Sequence, residues 1–231
     1  MRDESKKVII VGNSPSILLK KNGSLIDSHD LVIRVNKCVT KGYEDYIGQK
    51  TNIWATTSNF RWNNFVPDKY NCLNEIWLRT PSTQLTLPKK PSNIPMSIMY
   101  KTKGDSQNIN SIKKLLADRS KFISLIKNLK HEPCTGLLSI LTAIRLYKNV
   151  SILGFTFNTE QKDGKAFEYY RPDEVKGTGE DPMDKENEYN LNTRGNAGPV
   201  EGIAKLNIIS YLYDEKIINI LNLNEIKGLK I

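Results

Sequence analysis

The residues with the clearest chemistry follow an apolar run near the start of the chain, in "VIIVGNSPSIL" (Val8–Leu18). Gly12, Asn13, Ser14, Pro15 and Ser16 form a turn that carries side chains where many nucleotide-binding loops carry glycines. Neither the dinucleotide fingerprint G-x-G-x-x-G nor the phosphate loop G-x-x-x-x-G-K-[ST] occurs. Asn13 brings an amide donor and acceptor. Ser14 and Ser16 bring hydroxyls that also suit helix caps. Taken alone, the turn serves a ligand seat and plain turn chemistry equally well.

Two further stretches supply partners for it. In "IDSHDLVIRVNK" an apolar run, Leu31–Arg34, ends at Asn36, so two neighbouring strands would each deliver an Asn to one sheet edge. In "HEPCTGLLSILTAIRLYKNVSILGF" the residues Pro133, Cys134, Thr135 and Gly136 precede a helical pattern. That pattern leads to a second apolar run and then to Gly154 and Phe155. Small residues at a helix start leave backbone N–H groups facing outward, where the helix dipole favours an anion. Such a helix start is a phosphate seat that needs no P-loop lysine. An ordinary Thr cap is the competing account.

The elements that must position these residues follow from apolar spacing. Val8–Val11, Leu31–Arg34, Ile53–Ala55, Ile76–Leu78, Val150–Leu153 and Ile217–Ile220 read as strands. Several are continuous apolar runs, as expected of strands covered on both faces. Ser111–Leu129, Gly136–Tyr147 and Val200–Tyr213 read as helices. Alternating strands and helices predict an α/β fold: one Rossmann-type domain over residues 1–231, with a largely parallel sheet flanked by helices. Ligands of such sheets sit outside the carboxyl ends of the strands. Thr80–Pro95 holds four prolines and cannot be a central strand. Residues 173–196 are polar, without apolar period, and read as a long loop or lid.

Composition narrows the partners. The chain has 231 residues, and its formal net charge of +9 suits anionic partners. Its basic residues are scattered, with no aromatic-interleaved basic run, so nucleic acid is not the expected partner. A weak attraction to an anionic membrane face is the better use of that charge. No segment approaches the roughly 18–20 apolar residues of a membrane span. The charged start "MRDESKK" runs straight into a strand, which predicts a cytoplasmic protein, at most peripheral to the inner face of a membrane. Cys38, Cys72 and Cys134 are widely spaced and read as reduced thiols. With only His29 and His131 available, no zinc site is expected.

Together these stretches resemble the sialyltransferases of glycosyltransferase family 29. Val11–Thr51, with Thr40, Gly42, Tyr43, Glu44, Gly48 and Lys50, is similar to the large sialylmotif. Pro133–Phe155 is similar to the small one, with Cys134 in the place of a usual Ser. "FEYYRP" (Phe167–Pro172) resembles the third motif and "NAGPVE" (Asn196–Glu201) the very small one. Order and rough spacing of all four agree, over about half of the chain. The likeness fails over Asn59–Lys130.

The resemblance implies a GT-A-like fold and an inverting transfer of sialic acid from CMP-sialic acid to a glycan or glycolipid hydroxyl. It implies that Gly12, Asn13, Ser14, Asn36, Cys134, Thr135, Gly136, Gly154 and Phe155 bind the donor, and that Tyr169 and Tyr170 lie near the reaction centre. Arg171, Lys176 and Arg194, in or beside the lid, would pair with the donor's carboxylate or phosphate. The chain has no D-x-D motif, and a CMP-sugar leaves as a monophosphate, so no metal and no cofactor are expected. In animal members a disulfide joins the two larger motifs. Cys134 has no counterpart near Val11 here, which again implies a reducing compartment.

One departure bears on catalysis. The very small motif begins with a His that acts as general base, and this chain has Asn196 there. An amide cannot accept the proton usefully. Three accounts stand side by side. The chain carries Asn in exchange for His, as a change made to trap a donor complex would; another group, Glu201, Glu188 or His131, is the base; or the motif is aligned wrongly. The donor alternatives are CMP-Kdo or another CMP-ulosonate. The other classes are a non-catalytic CMP-sugar-binding protein and a different Rossmann-like nucleotide binder such as a methyltransferase.

Overall fold

The computed structural model describes residues 2–36, 38–56, 73–79, 94–99, 107–129, 133–156 and 199–222. Seven strands form one sheet, β1 (Asp3–Val11), β2 (Leu31–Val35), β3 (Ile53–Thr56), β4 (Glu75–Leu78), β5 (Met96–Ile98), β6 (Tyr147–Leu153) and β7 (Asn219–Ile220). Their order is β5-β4-β3-β2-β1-β6-β7, and every neighbouring pair is parallel. From β1 the chain builds outward through β5, then returns to the other side of β1 with β6. The order therefore reverses between β1 and β6, where such sheets bind ligands.

Both faces are covered, as the continuous apolar runs require. Val8, Ile10, Ile33, Ala55 and Ile152 share one core with α5 (Thr135–Leu146) and α6 (Pro199–Asp214). The α5 helix is buried from Thr135 through Ile144, so it is covered all round rather than along one stripe, with Thr135, Ser139 and Thr142 among its buried residues. On the opposite face Ile9, Val11, Val32 and Leu153 meet Ile17 of the 3-10 turn Pro15–Leu19, Ile26 of α1 (Gly23–Asp27) and Ile47 of α2 (Glu44–Ile47). Truncating a fully buried Ile such as Ile10 to Ala would cost about 2–5 kcal/mol.

The sheet matches the sequence expectation, with four local differences. The helical spacing over Ser111–Leu129 divides into α3 (Gln107–Lys113) and α4 (Arg119–Lys127). Asp118 takes an extended backbone between them, and its carboxylate caps α4 at the Lys121 N–H (2.9 Å). Tyr147 opens β6 instead of closing α5. The last strand is only Asn219–Ile220, because Lys216 turns into the left-handed region (φ 57°). The edge strand β5 has too short an apolar run to be seen in the sequence and begins directly after Pro95, whose carbonyl accepts from the Ile76 N–H (2.9 Å). The proposed lid, residues 173–196, lies outside the described residues.

Candidate donor site at the strand-order reversal

Val11 lies level with Arg34 of β2 on one side and with Leu153 of β6 on the other. The residues that follow leave the sheet at a common edge. There the Gly12 N–H donates to the Leu153 carbonyl (2.8 Å) and the Ser14 N–H to the Gly154 carbonyl (3.0 Å). A Cβ on Gly12 would lie 2.2 Å from the Gly154 carbonyl oxygen, so glycine is required for this approach of backbone to backbone. Gly154 itself has φ +74°, the left-handed region that favours glycine.

Phe155 ties the third element to this pair. A Cβ on Gly12 and one on Gly136 would each sit 3.0 Å from its ring. Gly136 is the second residue of α5, so the start of that helix packs against the β1 and β6 turns. Cys134 is the N-cap, and its side chain makes no capping hydrogen bond. The first amides of α5 are therefore left without a side-chain cap at the sheet edge. Thr135 is the first helical residue, not the cap, and is buried; its carbonyl accepts from the Ser139 hydroxyl (2.7 Å). Neither Cys38 nor Cys134 is in a disulfide; Cys72 lies outside the described residues.

The two asparagines arrive as expected on adjacent strands. The Asn13 amide donates from Nδ2 to the Val35 carbonyl (2.9 Å), which joins the β1 turn to the end of β2. Asn36 sits at φ 54°, strained for any residue but glycine and mildest for Asn. Its backbone is fully used: the N–H donates to the Ala55 carbonyl (2.8 Å) and its carbonyl accepts from Trp54 Nε1 (2.7 Å). Its Oδ1 is buried without a hydrogen-bond partner. A buried acceptor left unmet costs about 1–3 kcal/mol. Ser14 is committed locally, its hydroxyl accepting from the Ser16 N–H (3.3 Å) and pairing with the Ser16 hydroxyl (2.9 Å).

The structure thus gathers Gly12, Asn13, Ser14, Asn36, Cys134, Thr135, Gly136, Gly154 and Phe155 at one edge. Asn196, Tyr169 and Tyr170 lie outside the described residues, as do His131, Glu188, Arg171, Lys176 and Arg194. Glu201 stands in the first turn of α6.

Two positioning residues lie within the stretch similar to the large sialylmotif but are not among the residues expected to bind the donor. Arg34 is 1% exposed; its Nε donates to the Lys50 carbonyl (3.0 Å) and Thr51 Oγ1 (3.1 Å), and its Nη2 to the Ile47 carbonyl (2.7 Å). It pins the loop between α2 and β3 beneath the edge. The Asp27 carboxylate fixes the same loop by accepting from the Gln49 and Lys50 N–H groups at 2.9–3.1 Å. Among the described residues no group of three or more His, Cys, Asp or Glu is placed to hold a metal, and no helix is long and apolar enough to cross a membrane.

The comparisons with known proteins agree with the geometry. The model of glycosyltransferase family 29 (sialyltransferase) matches residues 1–192. The chain belongs to glycosyltransferase family 29. Among family relatives it is 27% identical over 160 residues to CMP-N-acetylneuraminate-beta-galactosamide-alpha-2,3-sialyltransferase 1 of Gallus gallus, covering 65% of this chain and 44% of that protein. It is 26% identical to alpha-N-acetylgalactosaminide alpha-2,6-sialyltransferase 2 of Mus musculus, over 66% of this chain and 48% of that protein. It is also 46% identical, over 50 residues only, to the beta-1,6-galactosyltransferase GALT29A of Arabidopsis thaliana, covering 22% of this chain and 13% of that protein. The chain spans about half the length of the sialyltransferases it matches. The solved structure of a mammalian sialyltransferase in complex with Gal-beta-1-3GalNAc-ortho-nitrophenol shares the fold, with a TM-score of 0.53 and 19% identity, over 94% of this chain and 69% of that one.

Proposed function

We propose that this chain is an inverting sialyltransferase that moves sialic acid from CMP-sialic acid to a glycan hydroxyl without a metal. The observation that carries this reading is the unmet Asn36 Oδ1 beside the Gly12–Gly154 contact, at the same edge as the uncapped start of α5. A cytidine monophosphate has what those groups lack. Its exocyclic amine and ribose hydroxyls donate hydrogen bonds, and its phosphate accepts them from helix-terminal amides.

In the transfer, an acceptor hydroxyl forms a C–O bond at the anomeric carbon as the bond to the phosphate oxygen breaks. The electron pair leaves with CMP, and the hydroxyl proton goes to a base. The first amides of α5 offset charge on the departing phosphate. Neutral donors suffice for a monophosphate, whereas a diphosphate leaving group demands more. Asn196 stands where the family motif has its basic His, so the chain as it stands transfers slowly; Glu201, at the start of α6 just downstream, is the nearest carboxylate in sequence and serves at most as a weak substitute base. A glycan acceptor and a weakly held anionic membrane surface are the partners this reading implies.

The match to a named galactosyltransferase over 50 residues supports a second reading, transfer of galactose, for which the donor tested is a uridine nucleotide sugar. Competition calorimetry with CMP, UMP and S-adenosylmethionine separates these. Cytosine offers an amine where uracil offers a carbonyl, so Asn36 Oδ1 would favour CMP by about tenfold. Tighter binding of UMP would favour the second reading, and binding of S-adenosylmethionine in preference to either would discard the sugar-donor reading.

A further inference from the structure

Arg79 follows the end of β4, on the same edge of the sheet as the donor site but on the far side of β2. Its N–H still donates to the Thr56 carbonyl (2.9 Å), so its backbone continues the ladder one residue past Leu78. Trp77, two residues back, belongs to the core on the α5 face, and strand alternation puts Arg79 on that face too. Leu78 lies level with Ile98, so Arg79 neighbours Met99, the residue after β5. The Met99 Sδ is 3.7 Å from the Oγ of Ser139, in the second turn of α5. Arg79 therefore stands on the face that α5 covers, at the end where α5 begins.

Position alone would leave this a solvated surface charge. The side chain is different. Arg79 is half-buried, and of its guanidinium nitrogens Nε alone is enclosed, which leaves the two terminal nitrogens at the surface. Among the described residues the ion pairs are Lys21–Asp45 and Lys148–Glu4, and no carboxylate pairs with Arg79. A half-buried guanidinium has given up part of its hydration, and here no neighbour replaces it. The terminal nitrogens form a planar fork that matches a carboxylate or a phosphate.

The donor does not supply that anion. In the donor reading its phosphate meets the start of α5 beside the β1 and β6 turns, and β4 lies three strand spacings from β1, about 14 Å. Arg79 is thus beside the donor seat, where a glycan held against the donor would extend. The net charge of +9 favours an anionic partner over the whole surface, and Arg79 gives that attraction a fixed point.

We infer that Arg79 is a specificity-determining residue that binds a carboxylate or phosphate on the acceptor, so that the acceptor is an acidic glycan. This deepens the sialyltransferase reading and rests on it.

The test is calorimetry on the full chain with CMP saturating. The probes are lactose, the same disaccharide with a carboxylate at C6 of galactose, and the same with a phosphate there. Both charged forms should bind about tenfold more tightly than lactose, or better. Arg79→Gln should bring both down to the level of lactose, and Arg79→Lys should restore part of the gap. Neither change should alter CMP affinity. Lys148→Gln, the same loss of charge near the amino end of β6, should leave the preference intact. The tighter of the two charged probes identifies the anion. Failure of CMP to bind would count against the donor reading alone, and the three disaccharides are then titrated without it. Equal binding of all three, binding of none, or a preference that survives Arg79→Gln would overturn the inference.

Discussion

The Gly12 and Gly154 backbones touch so closely that a single added methyl on Gly12 would lie 2.2 Å from the Gly154 carbonyl oxygen. The obstruction is backbone, so no rotamer relieves it, and the β1 and β6 turns must part. Gly12→Ala should therefore lower stability by about 1–3 kcal/mol, read as a drop of roughly 2–10 °C in Tm, and should weaken CMP binding further still. Tm and calorimetric Kd on the same sample check both.

Asn36 separates binding from folding. At φ 54° a glycine is less strained than Asn, so Asn36→Gly should leave Tm unchanged or slightly raised. It also deletes the unmet Oδ1, so CMP should bind about tenfold more weakly. A loss of Tm without a loss of affinity would make Asn36 a purely structural turn residue.

Arg34 shows the limit of legibility. In sequence it is a basic residue at the end of an apolar run; in the fold it is nearly inaccessible and holds the carbonyls of Ile47 and Lys50. Arg34→Met keeps the volume but orphans those carbonyls, and should cost about 2–4 kcal/mol in denaturant unfolding. Arg34→Ala should cost more, because it adds a void.

The alkaline limb of stability has a named contributor. Burial, then the nearby Glu75 and Asp3 charges, raise the Tyr147 pKa above its ordinary 10.0. The folded protein thus retains this proton to higher pH than the unfolded chain. The stabilising difference is complete below pH 10 and is lost as pH rises through the folded-state value. Tyr147→Phe should flatten that part of the Tm–pH curve and remove one phenol that ionises at raised pH from the absorbance titration near 295 nm.

How the sequence and the fold correspond follows from which forces are local. Continuous apolar runs marked β1, β2, β3, β4 and β6, because strands covered on both faces need no polar alternation. Glycines and asparagines marked the site, because close approach and left-handed backbone exclude most other residues. Most of what escaped was set by distant partners. The split of α3 from α4 falls at Asp118, whose carboxylate caps α4 locally but whose carbonyl accepts from the Tyr211 hydroxyl 93 residues away, and β5 exists as an edge strand only because β4 offers it a ladder. The role of Arg34 rests on carbonyls 13 and 16 residues away. Phe155 is expected at the site through the resemblance, but its packing role, where Gly12 and Gly136 converge on its ring, is not.

The measurement that bears most directly on the central claim is CMP release from CMP-Neu5Ac, with and without a lactose-type acceptor, for this chain and for Asn196→His. A base at that position is worth about two to four powers of ten in rate. The account predicts slow, acceptor-dependent CMP release from the chain as it stands and a rise of that size in the His form. No acceptor-dependent CMP release from either form, with the fold intact, would contradict it.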